Sequence, residues 1–302
     1  MRGALPLAAA LATVQGAMPA VTIAPGVDMP YVSLGTGSGM HHASDNVTDA
    51  VRLWIGANGT AIDTAYIYHD QAEIARGIGA SGVSPTDLFL TSKILCSTYE
   101  DAKASIEANL RQLNVRRVDL MLIHFPKCYG AGSIAETWRA LEGAQSAGLV
   151  RAIGVSNFKP SDLEALRRTA KLWPPAINQC SMSVGYHDDV TIQYCDTHRI
   201  AYMAYSPLCG GSKGSSCKHG SVMDLPAVKE IAAAHTVSPA QIALKWIVQQ
   251  RRPLATTAVH VAYMVADMDL WSWGELSDGE MSRLDAAMGL WVDAEAIEPR
   301  AS

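Results

Sequence analysis

Asp63, Tyr68, Lys93 and His124 are the residues of this chain whose types could carry out a reaction together. A Tyr phenol is a weak acid at neutral pH, but a nearby ammonium such as Lys93 favours the phenolate and lowers the phenol pKa. A carboxylate such as Asp63 can hold the ammonium in place. An imidazole such as His124 can bind a carbonyl oxygen and stabilise the charge that develops there. The predicted chemistry is proton delivery to a carbonyl group during its reduction.

Short apolar runs precede or contain each of these residues, and such runs, bounded by turn residues, predict buried strands. Asp63, Lys93 and His124 are expected near the carboxyl ends of three successive strands, and Tyr68 follows the first of them. The predicted strands are Tyr31 to Leu34, Ala61 to Thr64, Leu88 to Lys93, Val118 to His124, Val150 to Val155, Ala176 to Gln179, Ala201 to Tyr205 and Leu254 to Thr257.

Helical segments separate these strands, so the repeating unit is a strand followed by a helix. Eight such units predict an α/β fold of the (β/α)₈ TIM barrel type, with a short β-hairpin around Pro25-Gly26 before it. An open, doubly wound parallel sheet is the competing arrangement. One barrel domain over residues 21–302 accounts for the length. In a barrel the strand ends converge at the carboxyl-terminal mouth, which brings the candidate residues together.

Composition narrows the possible partners. The chain has 302 residues, is 49% hydrophobic and carries a net charge of −5. No basic run marks a surface for nucleic acid or anionic lipid. The six cysteines form no C-x-x-C pair and no zinc-type grouping, so we predict no metal site and reduced thiols. For Cys96 and Cys128, which follow two neighbouring strands, a disulfide at the mouth is the alternative if the protein is secreted. A small-molecule substrate is therefore expected, and we take the chain as a monomer.

The amino terminus has the pattern of a targeting leader. Met1-Arg2, an apolar stretch from Ala4 to Val14 and small residues around Gly16 and Ala17 are typical of a signal peptide, which we place over residues 1–20. The stretch is too short to span a bilayer. This pattern predicts the secretory pathway or an organelle, whereas a disordered Ala-rich tail on a cytoplasmic protein is the alternative.

From about Val21 to Leu284 the sequence resembles the aldo-keto reductase family. The motifs that carry the resemblance are Gly59 to Ala65 with Tyr68 and Gln71, Leu90 to Lys93, Val118 to Pro126, Gly148 to Phe158, Asn178-Gln179 and Ala204 to Leu208. The resemblance implies a (β/α)₈ barrel that reduces aldehydes and ketones with NADPH or NADH. It places the four catalytic positions of the family on Asp63, Tyr68, Lys93 and His124.

The same resemblance implies the cofactor contacts. Ser156, Asn157 and Gln179 would hold the nicotinamide carboxamide, and Tyr205 would stack on the ring. Ser206 and Leu208 would lie along the pyrophosphate, and we assign Thr36 and Thr257 to the cofactor as well. Amide and hydroxyl groups can satisfy a carboxamide, and a Tyr face suits a planar ring.

Two regions depart from the family pattern. Relatives that use NADPH hold its 2′-phosphate with cationic residues after the eighth strand, but no Lys or Arg occurs between Pro253 and Ser282, where Asp267 and Asp269 add negative charge. Because cationic side chains supply the main attraction for a phosphate, their absence predicts weakened NADPH selectivity or a preference for NADH. At the substrate pocket, Gly37 stands where relatives often carry an aromatic residue, and Phe125 replaces a frequent Trp, so a roomier pocket is expected.

Two functions remain open from the sequence. The first is carbonyl reduction by hydride transfer from NAD(P)H, with Tyr68 as the general acid. The second is a barrel that has lost turnover and serves as a cofactor-sensing or interaction protein. The complete set of four residues favours the first, and the missing cationic clamp favours the second.

Overall fold

The computed structural model describes residues 18–37, 47–128, 130–208 and 221–287 and contains a closed barrel of parallel strands. A two-stranded antiparallel hairpin, β1 (Ala20–Ala24) and β2 (Val27–Pro30), precedes the barrel. The barrel strands are β3 (Val32–Gly35), β4 (Ala61–Asp63), β5 (Phe89–Cys96), β6 (Val118–Cys128), β7 (Val150–Ser156), β8 (Ile177–Ser181), β9 (Ala201–Tyr205) and β10 (Leu254–Thr256). The predicted fold class is confirmed, including the hairpin.

Strand β10 pairs with both β3 and β9, so the sheet closes on itself. This closure excludes the open doubly wound sheet. The helices of the described residues are α1 (Val47–Gly56), α2 (Gln71–Ser81), α3 (Tyr99–Leu113), α4 (Ile134–Ser146), α5 (Pro160–Arg167), α6 (Asp189–His198), α7 (Pro226–His235), α8 (Pro239–Gln249), α9 (Val261–Met268) and α10 (Asp278–Asp285).

The apolar residues form two buried clusters, because each barrel strand has one face toward the helices and one toward the barrel axis. The larger cluster fills the space between strands and helices. The smaller one lies inside the barrel and includes Met29 of the hairpin with Phe89 and Leu120 of the strands. Arg151 also donates to the Gly26 carbonyl, at 2.8 Å, and so ties the hairpin to the barrel. The hairpin thus covers the amino-terminal mouth and leaves the opposite mouth for a site.

Side-chain caps define the start of several helices. Thr98 before α3 and Ser133 before α4 each accept a hydrogen bond from a first-turn backbone N–H, which satisfies a donor that the helix itself cannot pair. Asp188 does the same for α6 by accepting from the Thr191 N–H at 3.2 Å. Asp70 stands at the same position before α2 but makes no side-chain cap bond.

Two strands extend further than the sequence predicted. Lys93 and His124 were expected at strand ends, but β5 continues to Cys96 and β6 to Cys128, because the two strands keep pairing after a register shift between Ile94 and Cys96. Cys96 and Cys128 lie opposite each other with Cα atoms 4.5 Å apart and form a disulfide. The expectation that these two thiols are reduced was therefore wrong, since sequence alone carries no information on this geometry.

Within the described ranges, no helix is long and apolar enough to cross a membrane. The same residues contain no group of three or more His, Cys, Asp or Glu side chains placed to hold a metal ion. The predicted leader over residues 1–20 falls mostly on residues 1–17, which lie outside the described part of the chain.

Candidate active site

A buried ion pair joins Asp63, at the end of β4, to Lys93, in the middle of β5. The Lys93 Nζ atom lies 2.5 Å from Asp63 Oδ1 and donates a second bond to the Thr64 carbonyl at 3.0 Å. Gln179 Nε2 donates to the other Asp63 oxygen at 2.6 Å. Burial alone would lower the Lys93 pKa, but Asp63 and the other acidic neighbours outweigh it and raise the pKa. Lys93 is therefore held as an ammonium.

Tyr68 ends a short 3₁₀ turn, Tyr66–Tyr68, that follows β4. The Lys93 Nζ lies 5.4 Å from the centre of its ring. Burial of the phenol raises its pKa, and this effect exceeds the lowering by Lys93, so the net shift is upward. As the sequence predicted, Lys93 lowers the Tyr68 pKa. The net shift of that pKa is nevertheless upward, because the sequence did not show how deeply the phenol is buried. The phenol stays protonated and can act as a proton donor.

His124 lies beside the phenol. Its ring meets the Tyr68 ring edge to face, with centroids 5.7 Å apart, and stacks on Phe125 at 4.3 Å. Burial, followed by repulsion from Lys93, lowers the His124 pKa well below its usual value. The imidazole is thus neutral, and its Nδ1 makes no hydrogen bond to the described residues. A neutral imidazole can donate an N–H to a carbonyl oxygen without competing for the proton of Tyr68.

The predicted carboxamide ligands lie together at the mouth of β7, β8 and β9. Asn157 Nδ2 donates to the His124 carbonyl at 2.9 Å, and Tyr205 donates its hydroxyl to Asn157 Oδ1 at 2.8 Å. Ser156 donates to the Gln179 carbonyl at 2.8 Å. These bonds fix the plane of the Asn157 amide and connect it to the strand that carries His124. The donor set, two amides and a hydroxyl beside a Tyr ring, fits a nicotinamide carboxamide.

The other predicted cofactor residues have mixed placements. Thr36 is fully buried, and its N–H donates to the Asp63 carbonyl at 2.9 Å, so it supports β4 rather than lining open space. Thr257 is exposed and donates to the Gly35 carbonyl at 3.0 Å. Ser206 and Leu208 are half-buried at the end of β9, just before residues 209–220, which are not described. The structure exposes Thr257 and buries Thr36.

The two predicted pocket residues flank the reactive groups. A Cβ atom on Gly37 would lie 3.3 Å from the hydroxyl and the Cζ atom of Tyr68, so a larger residue would press on the phenol. Phe125 covers the other side of His124. A cavity of about 260 Å³ adjoins this region and is lined by Phe125, Asn157 and Tyr205 among others. Neither Tyr68 nor His124 lines this cavity, which borders the predicted carboxamide ligands instead.

In the segment after β10, the structure places one residue, Asp267, differently from the sequence prediction. Asp267 was expected to add negative charge at the site of a 2′-phosphate, but its side chain is buried and accepts from Thr256 Oγ1 at 3.2 Å. Burial raises its pKa to about 7, with the Thr256 hydrogen bond opposing the shift. Asp267 faces the barrel wall because it lies on the inner side of α9, and periodicity over a helix this short did not reveal that orientation.

Sequence reasoning missed Asp70, whose carboxylate is buried within the same group of residues. It accepts from Thr64 Oγ1 at 2.7 Å, and Thr64 is the residue whose carbonyl binds Lys93. A signal was available in the sequence, since an acidic residue follows Tyr68 and His69 closely. The sequence analysis assigned it no role.

The chain is similar to known proteins over most of its length. The model of the Aldo/keto reductase family matches residues 32–288. A 9,11-endoperoxide prostaglandin H2 reductase of Trypanosoma cruzi is 32% identical over 267 residues, covering 88% of this chain and 90% of the relative. A glyoxal reductase of Bacillus subtilis is 33% identical over 267 residues, covering 86% and 90%. The crystal structure of a Bombyx mori aldo-keto reductase in complex with NADP superimposes with a TM-score of 0.81 at 26% identity, covering 90% of this chain and 93% of the other.

Proposed function

The chain belongs to the aldo/keto reductase family, and from its site we propose that it reduces aldehydes or ketones to alcohols with a nicotinamide cofactor. The observation that carries the proposal is the position of the Tyr68 phenol between the Lys93 ammonium and the His124 imidazole. Burial raises the Tyr68 pKa and lowers the His124 pKa, which favours a protonated phenol beside a neutral imidazole. A group of this kind can deliver one proton to an oxygen that gains negative charge.

Each residue has a defined task in this proposal. Tyr68 donates its proton to the carbonyl oxygen, and Lys93, held by Asp63, stabilises the phenolate that remains. His124 stays neutral and orients the carbonyl oxygen by a hydrogen bond. The nicotinamide, when bound, supplies the hydride to the carbonyl carbon. Ser156, Asn157, Gln179 and Tyr205 would bind and orient its carboxamide and ring.

A turnover assay tests the proposal. Absorbance of NADPH or NADH is followed with a set of reactive carbonyls that includes a dicarbonyl, simple aldehydes and cyclic ketones. We expect oxidation of the cofactor that depends on the carbonyl. No turnover with either cofactor across the set, combined with cofactor binding, would instead favour the alternative of an inactive, cofactor-sensing barrel.

We also propose that the chain does not select strongly for NADPH. The support is the absence of Lys and Arg between Pro253 and Ser282. On the exposed face of α9 the side chains are apolar, with Val261 and Tyr263 at 41% and 63% exposure. A charge-assisted hydrogen bond contributes about 1.5–3 kcal/mol, so one missing cationic contact removes roughly tenfold or more of the preference for a phosphate.

Titration of the intrinsic Trp fluorescence with each cofactor measures this preference. We expect dissociation constants for NADPH and NADH that agree within about threefold, or tighter binding of NADH, because no cation of the segment meets the 2′-phosphate. NADPH binding that is more than about tenfold tighter would contradict the proposal.

A further inference from the structure

The turn between α1 and β4 is held in place by a buried tryptophan. The Trp54 Nε1 atom donates to the Ala61 carbonyl at 3.0 Å, and the Gly59 N–H donates to the Trp54 carbonyl at 2.8 Å. A Cβ atom on Gly59 would overlap the Trp54 ring, so only glycine fits there. Asn58 has a positive φ of 70°, a conformation that Asn tolerates better than most residues. The turn itself therefore explains the Asn58-Gly59 pair.

Thr60 completes an acceptor pattern that the turn does not need. Asn58-Gly59-Thr60 is an Asn-x-Thr triplet, to which N-linked glycans are attached on surface loops of secreted proteins. The Asn58 side chain is exposed, and its amide makes no hydrogen bond to another described residue. The Thr60 side chain is half-buried, and its hydroxyl is likewise unbonded within the described ranges. The amide nitrogen of Asn58 is therefore accessible at the surface.

The disulfide between Cys96 and Cys128 is a second, independent observation. Disulfides form and persist in oxidising compartments such as the lumen of the endoplasmic reticulum, and they are rare in the cytosol. The leader pattern in residues 1–20 predicts entry into the same pathway. An acceptor triplet is used only in a chain that enters this pathway, and the disulfide is the structural feature that such a chain can keep.

A glycan at this turn would leave the catalytic residues accessible. The turn lies at the amino-terminal end of the barrel, because β4 begins directly after it at Ala61. Ala61 belongs to the same apolar cluster as Met29 of the hairpin that covers this end. Asp63 is at the other end of β4, and residues before and after a barrel strand lie at opposite mouths.

We propose that Asn58 is an N-glycosylation site and that the chain carries an oligosaccharide there, at the end of the barrel opposite to the catalytic residues. The donor is an oligosaccharide linked to a lipid pyrophosphate. The Asn58 amide nitrogen forms a bond to the anomeric carbon of the sugar, and the bond from that carbon to the pyrophosphate oxygen breaks. The amide loses a proton, and the lipid pyrophosphate leaves. A second triplet, Asn46-Val47-Thr48, begins outside the described residues and has no part in the proposal.

The test labels the acceptor residue. The full chain is produced in cultured eukaryotic cells and treated with peptide N-glycosidase in heavy-oxygen water, which removes the glycan and leaves an Asp that carries the heavy oxygen. Trypsin cleaves after Arg52, so Asn46 and Asn58 are on different peptides in the mass spectrum. Deamidation of the Asn-Gly pair before the treatment leaves no label. A parallel incubation without the glycosidase corrects for deamidation during the treatment.

Four variants accompany the unaltered protein. Thr60→Ala removes the acceptor pattern without changing the residue of positive φ, and Asn58→Asp removes the amide but keeps a residue that tolerates this conformation. Thr60→Ser retains the pattern. Arg116→Thr is the matched positive control, since it adds a Thr two residues after Asn114. Asn114 is exposed, has a positive φ of 53° and ends α3, much as Asn58 follows α1.

We expect the label at Asn58 in the unaltered protein and in Thr60→Ser, and no label at this position in Thr60→Ala or Asn58→Asp. An unlabelled Asn58 in the unaltered protein overturns the proposal, and Arg116→Thr then gives the reason. A label at Asn114 in that variant means that the turn after α1 is not accepted, whereas an unlabelled Asn114 means that the chain does not reach the donor. Turnover plays no part in this measurement, so the result is independent of the proposed function.

Discussion

Replacing Tyr68 with Phe is expected to lower kcat/KM for carbonyl reduction about 10²- to 10⁴-fold, the range that a positioned proton donor contributes. The substitution removes only the hydroxyl oxygen and leaves the ring against His124 and beside Gly37. Steady-state rates with a reactive aldehyde measure the loss. Cofactor binding, followed by fluorescence, should stay unchanged, because the carboxamide ligands lie on β7 to β9.

Tyr66→Phe is the control for this result. Tyr66 belongs to the same 3₁₀ turn but contacts His69 rather than His124 or Lys93. Loss of its hydroxyl should leave the rate within about twofold, as for a surface change away from the reacting groups. A Tyr68→Phe enzyme that keeps more than about one tenth of the normal rate would show that another group supplies the proton.

Lys93→Met is expected to destabilise the protein by about 3–5 kcal/mol and to abolish turnover. The ammonium is 2% exposed and pairs with a carboxylate that is itself buried, so its removal leaves an uncompensated buried charge on Asp63. Among the side chains that the structure describes, Gln179 alone would still bind that carboxylate. Urea unfolding monitored by Trp fluorescence gives the change in the free energy of unfolding.

The double variant Asp63→Asn, Lys93→Met distinguishes the effect of the ion pair on stability from its effect on turnover. It removes both charges, so much of the lost stability should return, while turnover should not, because Tyr68 still lacks its ammonium. If the single and double variants unfold at the same urea concentration, the cost of the single variant lies in lost packing of the Lys93 side chain and not in the unpaired Asp63.

The sequence was sufficient for the barrel and for the four central residues. Strand and helix periods repeat along the chain, and residues at the carboxyl ends of barrel strands must meet at one mouth. The sequence alone therefore groups Asp63, Lys93 and His124. The net upward shift of the Tyr68 pKa could not be predicted, because it depends on the balance between burial and the charge of Lys93.

Other features depend on orientations that a one-dimensional pattern does not contain. Pairing of Cys96 with Cys128 required knowledge that β5 and β6 continue past Lys93 and His124. The inward orientation of Asp267 and the turn of Asp70 away from its own helix are set by side-chain packing. For the two cysteines and Asp267 the sequence analysis chose the commoner roles of a reduced thiol and an exposed negative charge, and it assigned no role to Asp70.

The bond from Gln179 to Asp63 crosses the barrel interior, joining β8 to β4, which are not neighbours in the sheet. Asp63 can have both oxygens bound only when the ring of strands is complete, since Lys93 comes from the adjacent strand and Gln179 from the far wall. Catalytic activity therefore reports whether the barrel is closed. A circularly permuted or two-fragment form of the chain that regains activity must have reassembled the whole ring, whereas recovered helix content alone would not establish that.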